Sequence, residues 1–139
     1  MRGSREESVR LRATMTREEA TEALALLAAE FGIAKPSLSW SERTRNGRAH
    51  PQENRIAIGP LAWTGTLHAL LHEFAHILAY RRYACSGHDE RFMRALLDTV
   101  TAWFGADGVS KYAWFTEYKR VAAFGKREVK AHKGNRHAS

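Results

Sequence analysis

Apolar residues return at helical spacing in three stretches of this chain and alternate with polar residues in a fourth. In the first helical stretch, Ala20, Leu24, Leu27, Ala28 and Phe31 form one stripe. Thr16 suits the cap of that helix, Glu18 and Glu19 sit where the helix dipole favours acids, and Gly32 followed by Pro36 stops it. Ser37-Leu38-Ser39-Trp40-Ser41 alternates as a half-buried strand does. Asn46-Gly47 is a hairpin-turn signal, with Arg48 to His50 as a return strand cut short by Pro51. Arg55-Ile56-Ala57-Ile58 reads as a further strand bounded by Gly59-Pro60. A buried helix follows from about Thr64 to Arg82, with Leu67, Ala69, Leu70, Leu71, Ile77, Leu78 and Ala79 apolar. The last helical stretch runs from about His88 to Phe104 on Phe92, Leu96, Leu97, Val100 and Phe104. Between these two helices Ala84-Cys85-Ser86-Gly87 supplies a break. Gly87 ends the first helix or joins the turn, and Ser86 serves as N-cap with Asp89 as its capping-box partner. The order of elements is that of an α+β domain.

The apolar helix carries polar groups at one place, His72-Glu73-Phe74-Ala75-His76, which matches H-E-x-x-H. Residues four apart lie on one helix face, about 6 Å apart along the axis, so two imidazoles there can reach one Zn²⁺. Glu73 sits to the side of that position, where a carboxylate can take a proton from water activated by the metal. Burying this set without an ion would cost free energy, because polar groups and a carboxylate would lie in an apolar helix. His68 extends the series, but the axial rise from 68 to 76 is about 12 Å, too long for one tetrahedral site. It reads as a neighbour of the site. Past the break, His88, Asp89 and Glu90 are each able to be a third ligand. Cys85 lies between the proposed ligands and reads either as a small buried residue at a helix end or as a regulatory thiol or fourth ligand.

Composition narrows the setting. A length of 139 residues suits one domain. The longest apolar run, Ala23 to Ala29, is seven residues, against about 20 for a membrane-spanning helix. Residues 1–14 are charged and read as a flexible lead-in rather than a signal peptide. The single cysteine excludes an internal disulfide, and a reducing, cytoplasmic location follows as an expectation. Of the net charge of +7, residues 111–139 carry +6. Such asymmetry points to an anionic partner, most simply nucleic acid, with Lys119, Arg120, Lys126, Arg127, Lys130 and Lys133 as contacts. Tyr112, Phe115, Tyr118 and Phe124, interleaved with these bases, either stack on nucleobases or pack on the core. The expected layout is a domain over 15–124 and a basic, disordered tail over 125–139.

His72-Glu73-Phe74-Ala75-His76, an eleven-residue gap, and Gly87-His88 followed by Phe92 together resemble the SprT-like (Spartan-type) zinc metalloproteases. The stretch His88-Asp89-Glu90-Arg91-Phe92 with Ala95-Leu96-Leu97-Asp98 is also similar to their WLM-type relatives. The resemblance implies a zincin-like minimal metalloprotease domain. It implies Zn²⁺ on His72, His76 and His88, Glu73 as general base, and protein substrates bound or crosslinked to DNA. The chain departs from the family at two points. One cysteine rules out the C-terminal zinc ribbon of many bacterial members, and Asp89 stands where the family has a second glycine. Two other readings stay open: a regulatory protease of the ImmA/IrrE type acting on a repressor, in which a later glutamate is the third ligand, and a DNA-binding module with a structural zinc. Oligomeric state is not legible.

Overall fold

The structure is a computed structural model, and it describes residues 14–61 and 66–105. Those residues form a mixed α+β unit of three helices and a small three-stranded sheet. Helix α1 spans Arg17–Phe31. The Thr16 hydroxyl accepts from the Glu19 N–H, and the Glu19 carboxylate accepts from the Thr16 N–H, which satisfies two otherwise orphan donors. Gly32, in the left-handed region at φ 64°, closes the helix with its N–H on Ala28 and Ala29 carbonyls. Ala20, Ala23, Leu24, Leu27 and Ala28 are buried, so the expected stripe faces the core.

Strands β1 (Ser37–Trp40), β2 (Arg48–His50) and β3 (Arg55–Ile58) lie where the alternation placed them, but they do not pair as expected. The spatial order is β1-β3-β2, with β3 parallel to β1 and antiparallel to β2. Asn46-Gly47 therefore does not close a hairpin between β1 and β2. The apolar residues of β3 explain its central place. Ile56 and Ile58 are both fully buried, whereas β2 offers a single small apolar residue, Ala49, to the core. The reversal from β2 to β3 is made by a short 3-10 turn at Pro51–Glu53, with Asn54 in the left-handed conformation that asparagine tolerates. The Asn54 amide also donates to the Ala34 carbonyl, tying this turn to the chain before β1.

Helix α2 (Leu67–Tyr83) runs through the centre. It starts later than the expected Thr64 because the Thr66 hydroxyl caps it by accepting from the Ala69 N–H. Ten of its residues are buried, so α2 is packed around most of its circumference, leaving the face of His72 and His76 less buried. The Phe31 ring of α1 lies 5.9 Å from that of Phe74. Thr14, placed in the lead-in by sequence, forms an isolated antiparallel bridge with Thr66.

Helix α3 spans Glu90–Phe104 and packs chiefly on α2 through Phe92, Ala95, Leu96 and Val100. An ion pair at 2.6 Å between Arg82 and Asp98 bridges the two helices. Two sequence expectations at their junction are corrected. Helix α2 ends on Ala84, at φ 54°, and not on Gly87. The N-cap of α3 is Asp89, not Ser86, so His88 precedes the helix. Either residue type makes a good N-cap. Asp89 prevails because its carboxylate also accepts from the Cys85 thiol at 3.2 Å and from the Arg91 guanidinium at 2.7 Å.

Candidate metal centre

Helix α2 sets His72 and His76 one turn apart on the same face, as the spacing predicts. The junction between α2 and α3 brings His88 back onto that face. The His88 Nε2 lies 3.1 Å from the His76 Nε2 and 3.3 Å from the His72 Nε2. All three histidines can place a ligand atom within 4.8 Å of the others. Two nitrogens bound to one Zn²⁺ in a tetrahedral arrangement are about 3.3–3.4 Å apart, given bonds of about 2.0–2.1 Å. The observed separations therefore fit the edges of such a site. Hydrogen bonding is a poorer account of the arrangement. An imidazole nitrogen has one in-plane lone pair or one N–H, yet the His88 Nε2 is approached from two sides. One cation held by all three nitrogens satisfies the whole set.

Glu73 is 4% exposed, and its Oε1 lies 4.0 Å from the His72 Nε2. Glu73 and the three histidines line one open cleft of about 550 Å³. Gly47, Arg48 and Ala49 form its opposite wall, so β2 is the strand beside the site. The Asn46-Gly47 signal acquires a different meaning here. A methyl group on Gly47 would meet Ile58 Cγ2 at 3.2 Å and Glu73 Cγ at 3.6 Å. The glycine relieves the closer approach, to Ile58, while the contact with Glu73 is an ordinary van der Waals one.

Asp89 and Glu90, the competing third ligands, are not in the histidine group. Asp89 is engaged instead as a helix cap, accepting from the Arg91 and Phe92 N–H groups. The Arg91 guanidinium, then the Cys85 thiol, hold its carboxyl well below the usual carboxylate range. Arg91 is raised in turn by the Asp89 carboxylate, and it also reaches the Tyr83 carbonyl at 3.4 Å. Cys85 is buried, donates to Asp89, and is not in the histidine group. It acts as a pin beneath the loop. His68, half-buried on α2, is likewise outside the group.

Phe92 was legible in the sequence as a position on the apolar stripe of its helix and as the aromatic that follows His88 in the family pattern. In the fold its ring lies beneath all three imidazoles. It is stacked on His76 at 4.3 Å, edge-on to His88 at 4.8 Å and tilted to His72 at 5.1 Å between centroids. Its contact with all three rings was not legible there, because His88 precedes α3 and helical spacing does not relate it to Phe92.

The basic positions Lys119, Arg120, Lys126, Arg127, Lys130 and Lys133, the aromatics from Tyr112 to Phe124, and the tail 125–139 lie outside the described residues. Among the described residues no helix is long and apolar enough to cross a membrane. No family model, no curated protein and no solved structure matches the chain.

Proposed function

We propose that this protein is a zinc-dependent metallopeptidase of the SprT-like kind, built on a zincin-like α+β domain and acting on proteins bound or crosslinked to DNA. The observation that carries the reading is the convergence of three imidazole Nε2 atoms beside a buried glutamate in an open cleft. Three protein donors are what catalytic zinc sites use, whereas structural sites are closed by four. A Zn²⁺ held by His72, His76 and His88 supplies Lewis acidity, polarising a carbonyl and lowering the pKa of water to about 7.

The rest of the chemistry falls to the chain. Glu73 takes the proton from the attacking water and delivers it to the leaving amine as the peptide C–N bond breaks. Its burial removes competing solvent from that carboxylate. Strand β2 pairs with β3 on one side only among the described strands. Its other edge offers backbone donors and acceptors to an extended peptide. Arg48 contributes a cation to the same wall. The DNA part of the reading rests on the family resemblance and on the +6 charge of residues 111–139.

The test is cleavage of a DNA-binding protein by the zinc-loaded full chain, with and without single-stranded DNA, beside Glu73→Gln. The variant should retain zinc and lose about 10²–10⁴-fold in rate. Cleavage that depends on Glu73 and rises with DNA is the expected result. Cleavage indifferent to DNA keeps the peptidase and removes the DNA coupling. Absence of any Glu73-dependent cleavage overturns the proposal.

A further inference from the structure

Among the described residues, Phe92 sets its ring against all three members of the histidine group. It is 2% exposed, so it presents an unsolvated face to the imidazoles. Its three contacts differ in geometry. The ring is nearly parallel to His76 (28°), close to perpendicular to His88 (79°) and intermediate to His72 (58°). An aromatic ring has a negative face and a positive edge, so each of these contacts favours particular orientations of the partner ring. The contacts also cross the junction between elements. His72 and His76 belong to α2, whereas Phe92 and His88 flank the start of α3. One ring thereby registers the loop-borne imidazole against the helix-borne pair.

We infer that Phe92 is a positioning residue of the metal centre: its ring fixes the planes of His72, His76 and His88 so that their Nε2 atoms converge. The inference rests on the metal-holding reading of those histidines. It differs from simple core packing in one respect. An aliphatic side chain of similar size can refill the space but cannot orient three rings. Groups that orient metal ligands without touching the metal typically contribute about 10–100-fold in affinity.

The test uses the full chain, stripped of metal, as wild type and as Phe92→Leu. Zinc affinity is read by competition with a chromophoric chelator, and site geometry by the visible spectrum with Co²⁺. Thermal unfolding of the metal-free proteins reports packing separately. The expected result is a fall of roughly 10-fold or more in zinc affinity, with a weakened and shifted Co²⁺ spectrum. Phe92→Met, whose flexible chain fills irregular gaps, serves if the leucine variant does not fold, and the same loss is expected. A variant less stable without metal, yet with wild-type zinc affinity and Co²⁺ spectrum, overturns the inference and makes Phe92 a packing residue only. A wild type that binds neither ion overturns the metal reading itself, and the inference falls with it.

Discussion

His72 and His76 are held by a helix, His88 by a loop, and the two supports are built from different physics. On α2 the distance between ligands follows from helix pitch, and core packing of the helix's other faces fixes its rotation. Any sequence that keeps this helix buried keeps the pair. His88 lies on no regular element, and α3 sets the Phe92 ring against its own. Its place depends on a chain of specific contacts: Ala84 in the left-handed region, the buried Cys85 thiol on Asp89, and Arg91 on both Asp89 and the Tyr83 carbonyl. The helix-borne pair is therefore protected by bulk packing, while the third ligand relies on a few polar contacts at an exposed surface and on the Phe92 ring. Perturbations should separate the two.

The largest effect is expected from removing donors. Alanine at His72, His76 or His88 should lower zinc affinity by more than about 100-fold, beyond the loss of an orienting partner. The two supports then diverge in the metal-free protein. His88 is exposed, so His88→Ala should leave Tm within about 3 °C of wild type, as surface changes do. The His76 ring stacks on Phe92 at 4.3 Å, and His76→Ala should lower Tm by about 4–8 °C. Chelator competition and thermal unfolding without metal check both. Equal destabilisation by the two variants would erase the distinction between helix-held and loop-held ligands.

The same division explains what the sequence could reveal. Local periodicity made α1 and α2 readable, with Thr16 at the start of α1, because these depend on neighbours three or four residues away. The pair His72 and His76 with Glu73 was readable for that reason. Strand order was not, because the parallel pairing of β1 with β3 joins residues such as Leu38 and Ile56 across a long stretch of chain. Asn46-Gly47 carried a turn signal, yet Gly47 sits where an added Cβ would crowd Ile58 of β3. At the loop, Ser86 and Asp89 have equal local claims as N-cap, and contacts from Cys85 and Arg91 decide between them. The choice of His88 over Asp89 and Glu90 came from resemblance. Its physical reason, that Asp89 is committed as a cap, appears only in the fold.

A smaller effect is expected at that cap. Asp89→Ala leaves the first turn of α3 without its acceptor and frees Arg91, and a fall of about 3–6 °C in Tm should follow. Asp89→Asn keeps an accepting oxygen but loses the ion pair, so the two variants separate cap from charge. The charge contribution has a definite pH signature. The folded carboxyl is held below its ordinary value, chiefly by Arg91. Its stabilisation is therefore complete above about pH 3.9 and fades as pH falls through the lower folded value. Tm of metal-free wild type and Asp89→Asn, followed downward from pH 6, should converge only below that point. A separation that stays constant throughout would mean that the ion pair contributes nothing.

The smallest effect should be opposite in sign. Ala84 ends α2 at φ 54°, ψ 32°, with its N–H on the carbonyls of Ala79 and Tyr80. An L-residue pays about 1–2 kcal/mol there because its Cβ crowds the next carbonyl. Glycine escapes that crowding but gives the unfolded chain more freedom, which takes back about 0.4–1 kcal/mol. Ala84→Gly should therefore stabilise the protein by about 0–1.6 kcal/mol, with zinc affinity unchanged because the backbone path to His88 is the same. The control is Ala25→Gly at an exposed position inside α1, where the same change should cost about 1 kcal/mol. Denaturant unfolding of both variants measures the contrast. If Ala84→Gly destabilises as Ala25→Gly does, the left-handed turn does not close α2, and the loop that carries His88 must leave the helix by another path.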